Sequence, residues 1–184
     1  MLKEIETEYK YLLSVEQFQE VLAKCKMKFS FSEHKLQANY YYDTDDNTLN
    51  SEKITVRIRQ QHSAMKLQIK KHREFDNGLS TSDEYSEKID TLPSFMRIPD
   101  ISDNVFLKGV LVTERKTFFF GRNSSIGFDE NMYLGICDYE VEIELDKRDT
   151  EDALSIINYL GLVQKPIESK SERFFRKLEA MKSE

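Results

Sequence analysis

The residues that could do chemistry stand at the start of the chain, in Glu4-Ile5-Glu6-Thr7-Glu8-Tyr9-Lys10-Tyr11-Leu12-Leu13. Glu4, Glu6, Glu8 and Lys10 take the even positions, and Ile5, Tyr9 and Tyr11, with Thr7, take the odd ones. Strict alternation predicts a β-strand with one charged face and one mainly apolar face. Such a face can simply meet water. Three aligned carboxylates repel one another, however, unless a cation offsets them, and all-oxygen donors suit Mg²⁺ or Mn²⁺. The pattern recurs in Asp138-Tyr139-Glu140-Val141-Glu142-Ile143-Glu144-Leu145. Between these acidic runs the charge reverses: Arg57 and Arg59 alternate with Val56 and Ile58, and Lys66, Gln68 and Lys70 alternate with Leu67 and Ile69.

Acids and bases gathered in one enclosed space suit a metal-bound polyphosphate. Arginine forks grip phosphate oxygens, lysines add point charge, and carboxylates hold the divalent ion. The chain has no Walker loop, no Gly-rich phosphate cradle and no Cys or Ser nucleophile motif. His34, His62 and His72 have no spacing that suggests a catalytic dyad or a zinc site and read as ordinary histidines. The chemistry expected is therefore metal-assisted attack of water on phosphorus.

After the first strand, Ser14 with Gln17 forms a capping box, and Phe18, Val21, Leu22 and Cys25 follow at helical spacing to about Lys26. Leu36–Asp43 reads as a strand, with a turn at 44–47. Asp43, Asp45 and Asn47 match early EF-hand positions, but Thr48 replaces the Gly and Ile54 the final Glu, which excludes a calcium loop. Two basic strands flank residues 60–64 as a hairpin, Asn77-Gly78 marks a turn, and 83–89 is a weaker strand. Residues 93–110, with two prolines, predict short helical pieces. Strands at 110–122, 126–129 and 138–145 follow. A helix capped by Asp149 or Thr150 stops at Gly161, and a last helix starts near Ser171. These elements predict an α+β fold, one domain over 1–184. If helices cover the apolar faces, the charged faces line the interior of a closed antiparallel β-barrel.

The chain has 184 residues with 12 Phe and 9 Tyr for a core, 33% charged residues and a net charge of −6. That balance disfavours general nucleic-acid binding, despite the basic run from Arg57 to Arg73. No run approaches a membrane span, and Cys25 and Cys137 form no disulfide or zinc pattern, so a cytoplasmic protein is expected and both cysteines read as buried.

Glu6-Thr7-Glu8-Tyr9-Lys10 resembles the E-x-E-x-K signature of the CYTH proteins, or triphosphate tunnel metalloenzymes. Asn39–Thr44, Val56–Arg59, Leu67–Lys70, Arg115, Glu140–Glu144 and Ser169–Ser171 are similar to later family segments in order, and Glu87 falls where an acidic strand residue is expected. The run Glu4–Lys10 is similar to the Bacillus YjbK-like subgroup. The resemblance implies an eight-stranded barrel tunnel with helices packed outside, and Mg²⁺ or Mn²⁺ held by Glu6, Glu8, Glu140 and Glu142. It implies triphosphate bound by Arg57, Arg59, Lys66, Lys70, Arg115 and Lys170. Glu6, Glu8 and Lys10 make up the implied catalytic group, with Lys10 touching phosphate or orienting the acids. Inorganic triphosphate is the first substrate expected, with thiamine or nucleoside triphosphates open. An adenylyl cyclase of the class IV type and a non-catalytic polyphosphate or nucleotide binder are the alternatives. The oligomeric state stays open.

Overall fold

The computed structural model describes residues 1–76, 79–121, 123–146 and 149–183. In chain order its elements are β1 (Leu2–Leu13), α1 (Val15–Lys28), β2 (Phe31–Asp43), α2 (Thr48–Ser51), β3 (Ile54–Gln61), β4 (Ala64–Asp76) and β5 (Leu79–Ile89). There follow β6 (Phe95–Ile98), β7 (Ser102–Phe120), β8 (Ser124–Tyr133), β9 (Ile136–Glu144), α3 (Thr150–Leu160) and α4 (Lys170–Lys182). Antiparallel pairing runs β2-β3-β4-β5-β1-β9-β8-β7, and β2 pairs again with β7, so eight strands close into a barrel with β6 outside on β7. Closure leaves the eight strands no free edge. The Asn77-Gly78 turn and the Arg122 strand end lie outside the described residues.

Directly opposed residues share a face, so the register decides what points inward. Glu8 faces Glu144 and Lys10 faces Glu142 across β1 and β9. Arg57 faces Gln68, and Arg59 faces Lys66, across β3 and β4. The charged faces therefore line the interior. The apolar faces turn out: Tyr9, Tyr11, Phe118, Phe128, Val141 and Ile143 form one core with Phe18, Val21 and Cys25 of α1 and Ile156, Ile157 and Leu160 of α3. The capping box of Ser14 and Gln17 starts α1, which continues to Lys28.

Residues 93–110 are extended and not helical. Phe95 and Met96 pair with Phe106 and Val105, and Ile98 and Val105 bury against Val56, Ile58 and Ile69. The start of β7 folds straight back on β6 as a local hairpin, with Ile98 opposite Ser102, and Pro93 and Pro99 at the ends of β6 mask the strand pattern in sequence. At the 44–47 turn the Asp43 carboxylate accepts the N–H groups of Thr44, Leu49 and Asn50, so a turn-capping bond set occupies it. Cys25 is buried, but Cys137 is exposed on β9, just after the 133–136 hairpin, which corrects the expectation for that residue.

The C-terminal helix has a different seat. Phe174 and Phe175 pack on Tyr41, Leu111 and Tyr133, and Tyr41 stands opposite Arg57 on the inward face. Gly109, opposite Tyr41, lets the ring in: a Cβ there would lie 2.9 Å from Phe174 Cζ. Helix α4 thus closes one end of the barrel, and full burial of a ring such as Phe174 contributes roughly 1.5–3 kcal/mol.

Candidate active site

Six strands and one helix project charge into a single lumen. Strand β1 gives Glu6, Glu8 and Lys10, β3 gives Arg57 and Arg59, β4 gives Lys70, β5 gives Glu84, β7 gives Arg115 and β9 gives Glu142 and Glu144. From outside the barrel, the first turn of α4 adds Lys170 and Ser171. The N-cap Ser169 accepts from Glu172 N while the Glu172 side chain accepts from Ser169 N, which fixes where Lys170 enters. Gly127, opposite Glu142, leaves room for Arg115: a Cβ there would lie 3.4 Å from the guanidinium.

The acids and bases are interleaved. Lys70 Nζ donates to Glu8 Oε1 at 2.8 Å and also pairs with Glu6, while Lys10 lies 2.9 Å from Glu8. Lys170 Nζ donates to Glu142 at 2.6 Å and lies 2.8 Å from Asp129. Arg115 bonds Asp129 at 2.5–2.6 Å and also reaches Glu142. These pairs set the charge states. Burial opposes ionisation of Glu6, but Lys70 and Lys10 override it and bring the carboxyl to about 2. Burial likewise works against the Lys10 ammonium, yet Glu8 and Glu142 hold it well above the ordinary lysine range. Lys170 is raised in the same way, by Asp129, Glu140 and Glu142 against its own burial. Arg59 shows the reverse, pushed down to about 10 by burial and by Arg57 and Arg115. Glu144 stands at the rim, where desolvation by the wall and the like charges of Glu6 and Glu8 push its carboxyl up to about 7.

The structure therefore brings Glu6, Glu8, Lys10, Arg57, Arg59, Lys70, Arg115, Glu142 and Lys170 to one cavity of about 150 Å³. Two sequence candidates sit apart from its lining. Lys66 is exposed on the same face of β4, toward the opposite end from α4. Glu140 is fully buried behind Lys170, 3.5 Å from its Nζ, and Arg173 Nη2 donates to it at 2.5 Å. Glu87 is also displaced: it is exposed beside the N-terminal amine, and Glu84, facing Lys70, is the β5 acid that lines the lumen.

Sequence reasoning missed Asp129, Arg173 and His72. Asp129 continues the polar alternation Gly127, Asp129, Asn131 on β8, a signal that was present but short. Arg173 lies one helical turn after Lys170 and bonds both Glu140 and Asp138. His72, two residues beyond Lys70, also lines the lumen. Burial, then Lys70 and Lys10, push its imidazole down to about 3, so it is neutral at pH 7.

Among the described residues, no three Asp, Glu, His or Cys side chains stand as a ready coordination cluster, because lysines and arginines lie between the acids. The donor set nevertheless fits a hard divalent cation. It is all oxygen, the Glu144 carboxyl reports crowded negative charge, and Glu140 Oε1 is buried without a hydrogen bond. A larger groove of about 600 Å³ runs outside, between α1 and residues 160–167, and meets the lumen lining at Lys10. Two of its charged residues, Glu20 and Lys24, pair with each other at 2.8 Å, and it offers no comparable phosphate grip.

The sequence model of the CYTH domain matches residues 4–175. A candidate adenylate cyclase from Bacillus halodurans superposes with a TM-score of 0.72 at 28% identity, covering 95% of this chain and 100% of that one. A candidate adenylyl cyclase from Hippeastrum, described as having a dominant triphosphatase activity, gives 0.74 at 22% identity over 93% and 95% of the two chains. The Mimivirus capping enzyme triphosphatase gives 0.56 at 12% identity over 85% and 89%. The last two likenesses speak to the fold alone. No curated protein gives a significant match. The family match spans nearly the whole chain and coincides with the closed barrel, and the protein belongs to the CYTH domain family.

Proposed function

We propose that the lumen binds a triphosphate and hydrolyses it with the help of Mg²⁺ or Mn²⁺, inorganic triphosphate first among the substrates. The observation that carries this reading is the convergence of Arg57, Arg59, Lys70, Arg115 and Lys170 on a cavity also faced by Glu6, Glu8 and Glu142. Binding exchanges partners. Lys70 and Lys170 turn from carboxylates to phosphate oxygens, and the arginine forks hold the chain in register. The freed acids, Glu6, Glu8 and Glu142 with Glu140 behind them, are the residues that would hold the cation. When bound, such an ion supplies charge compensation and Lewis-acid polarisation of the phosphoryl group. Lys10 keeps its proton, so its part is electrostatic: it contacts phosphate or fixes Glu8.

We treat residues 1–184 as one domain of this kind, supported by a sheet that takes strands from both halves of the chain. A closer kinship with the Bacillus YjbK-like subgroup rests on the Glu4–Lys10 run alone. A second reading, an adenylyl cyclase, draws on the candidate-cyclase descriptions of the Bacillus halodurans and Hippeastrum proteins. Product identity with ATP separates the two. Orthophosphate supports hydrolysis, whereas cyclic AMP with pyrophosphate would replace it by the cyclase.

A further inference from the structure

A second cavity of about 120 Å³ adjoins the lumen at the end where α4 is seated. Lys10, His72 and Ser169 line both spaces, so these three side chains form the partition between them. Beyond the partition the lining is cationic: Lys53 and Arg73 join Lys10, against the single carboxylate of Glu172. Lys53 pairs with Glu172. Arg73 takes its partner, Asp83, at 2.8 Å, from outside the lining. The side chains of Lys53 and Arg73 are 62% and 50% exposed, so this chamber reaches solvent. Ser80 and Ser169 add hydroxyls. His72 is uncharged at pH 7 and places no further charge between the two spaces.

Each of the three cations is held by a carboxylate, Lys10 by Glu8, Lys53 by Glu172 and Arg73 by Asp83. A small space where such cations can exchange partners beside hydroxyl donors matches a compact tetrahedral oxyanion better than an organic anion. We propose that this chamber is a second oxyanion site that takes orthophosphate, the product of hydrolysis in the lumen, on the α4 side of Lys10. The source of the phosphate rests on the reading under Proposed function; the site itself does not depend on turnover.

The test titrates inorganic phosphate into the resting, metal-free protein, followed by calorimetry and ³¹P NMR. The lumen is also cationic, so the titration is repeated in an Arg59→Ala background, which weakens the lumen site. Phosphate binding is expected to persist there, and Lys53→Gln and Arg73→Gln are each expected to weaken it about tenfold, the scale of one charge-assisted contact. In otherwise unaltered protein, Lys53→Gln is expected to leave inorganic triphosphate affinity unchanged. Phosphate binding that vanishes with Arg59→Ala, or that ignores both Lys53→Gln and Arg73→Gln, would overturn the proposal. Absence of triphosphatase activity would sink the hydrolase reading while leaving this binding result intact, so the two failures are distinguishable.

Discussion

Lys170, the first residue of α4, donates to Glu142 Oε1 of β9 at 2.6 Å. The helix that closes the barrel is therefore tied to the lumen by charge as well as by the packing of Phe174 on Tyr41. The side chain that completes the phosphate grip is also the one that anchors the plug. A change at Lys170 should register in both activity and stability.

Lys170→Ala is expected to lower kcat/KM for inorganic triphosphate about 10- to 100-fold, the loss of a contact of about 1.5–3 kcal/mol. Urea unfolding should show a smaller loss than the roughly 3–5 kcal/mol of an uncompensated buried pair, because Arg115 still serves Glu142 and Asp129. Unchanged kinetics would remove Lys170 from the site.

Gly109→Ala should destabilise by about 1–3 kcal/mol through overpacking, since the new methyl meets Phe174 at 2.9 Å. Phe174→Ala, at a fully buried ring, should cost about 3–5 kcal/mol. Urea midpoints check both. A neutral Gly109→Ala would mean that α4 does not press on the barrel wall there.

His72 sets a pH response in the metal-free protein. Its folded value, about 3, lies below its ordinary 6.5, so between these values the unfolded chain takes up a proton that the native one does not. Stability from this residue is complete above pH 6.5 and falls as pH drops, by at most about 1.4 kcal/mol per unit. His72→Asn should shrink the loss between pH 7 and pH 5. Equal losses in the two proteins would place a charged imidazole in the fold.

The strands were legible in sequence because their charges alternate. Glu6, Glu8 and Lys10 announce an inward face within five residues, and Arg57 with Arg59 does so within three. What alternation could not say is which faces meet. Lys66 and Lys70 share a face of β4, yet only Lys70 stands deep enough to line the cavity. Glu140 and Glu142 share a face of β9, yet Arg173 arrives from a distant helix to bury Glu140. Strand β6 was missed because Pro93 and Pro99 bracket its four residues and mask the strand pattern, although its partners, Ser102 to Phe106, follow within one short hairpin. Cys137 was misjudged because burial of a hairpin residue depends on what packs over it.

The two thiols should differ sharply. Cys25 is fully buried, and desolvation pushes its thiol up to about 12, whereas Cys137 is exposed. At pH 8, one equivalent should react rapidly with a disulfide reagent and the second only in denaturant. Cys137→Ser should abolish the fast phase. Two fast thiols would contradict the packing of α1 on the barrel.

The most direct measurement is orthophosphate release from inorganic triphosphate by the purified protein with Mg²⁺, with Mn²⁺ and with EDTA, beside Arg59→Ala. Metal-dependent release that EDTA abolishes and Arg59→Ala cuts at least tenfold is the result expected of a triphosphate site in the lumen. Release that ignores both EDTA and Arg59→Ala, or no release with either metal, would contradict it.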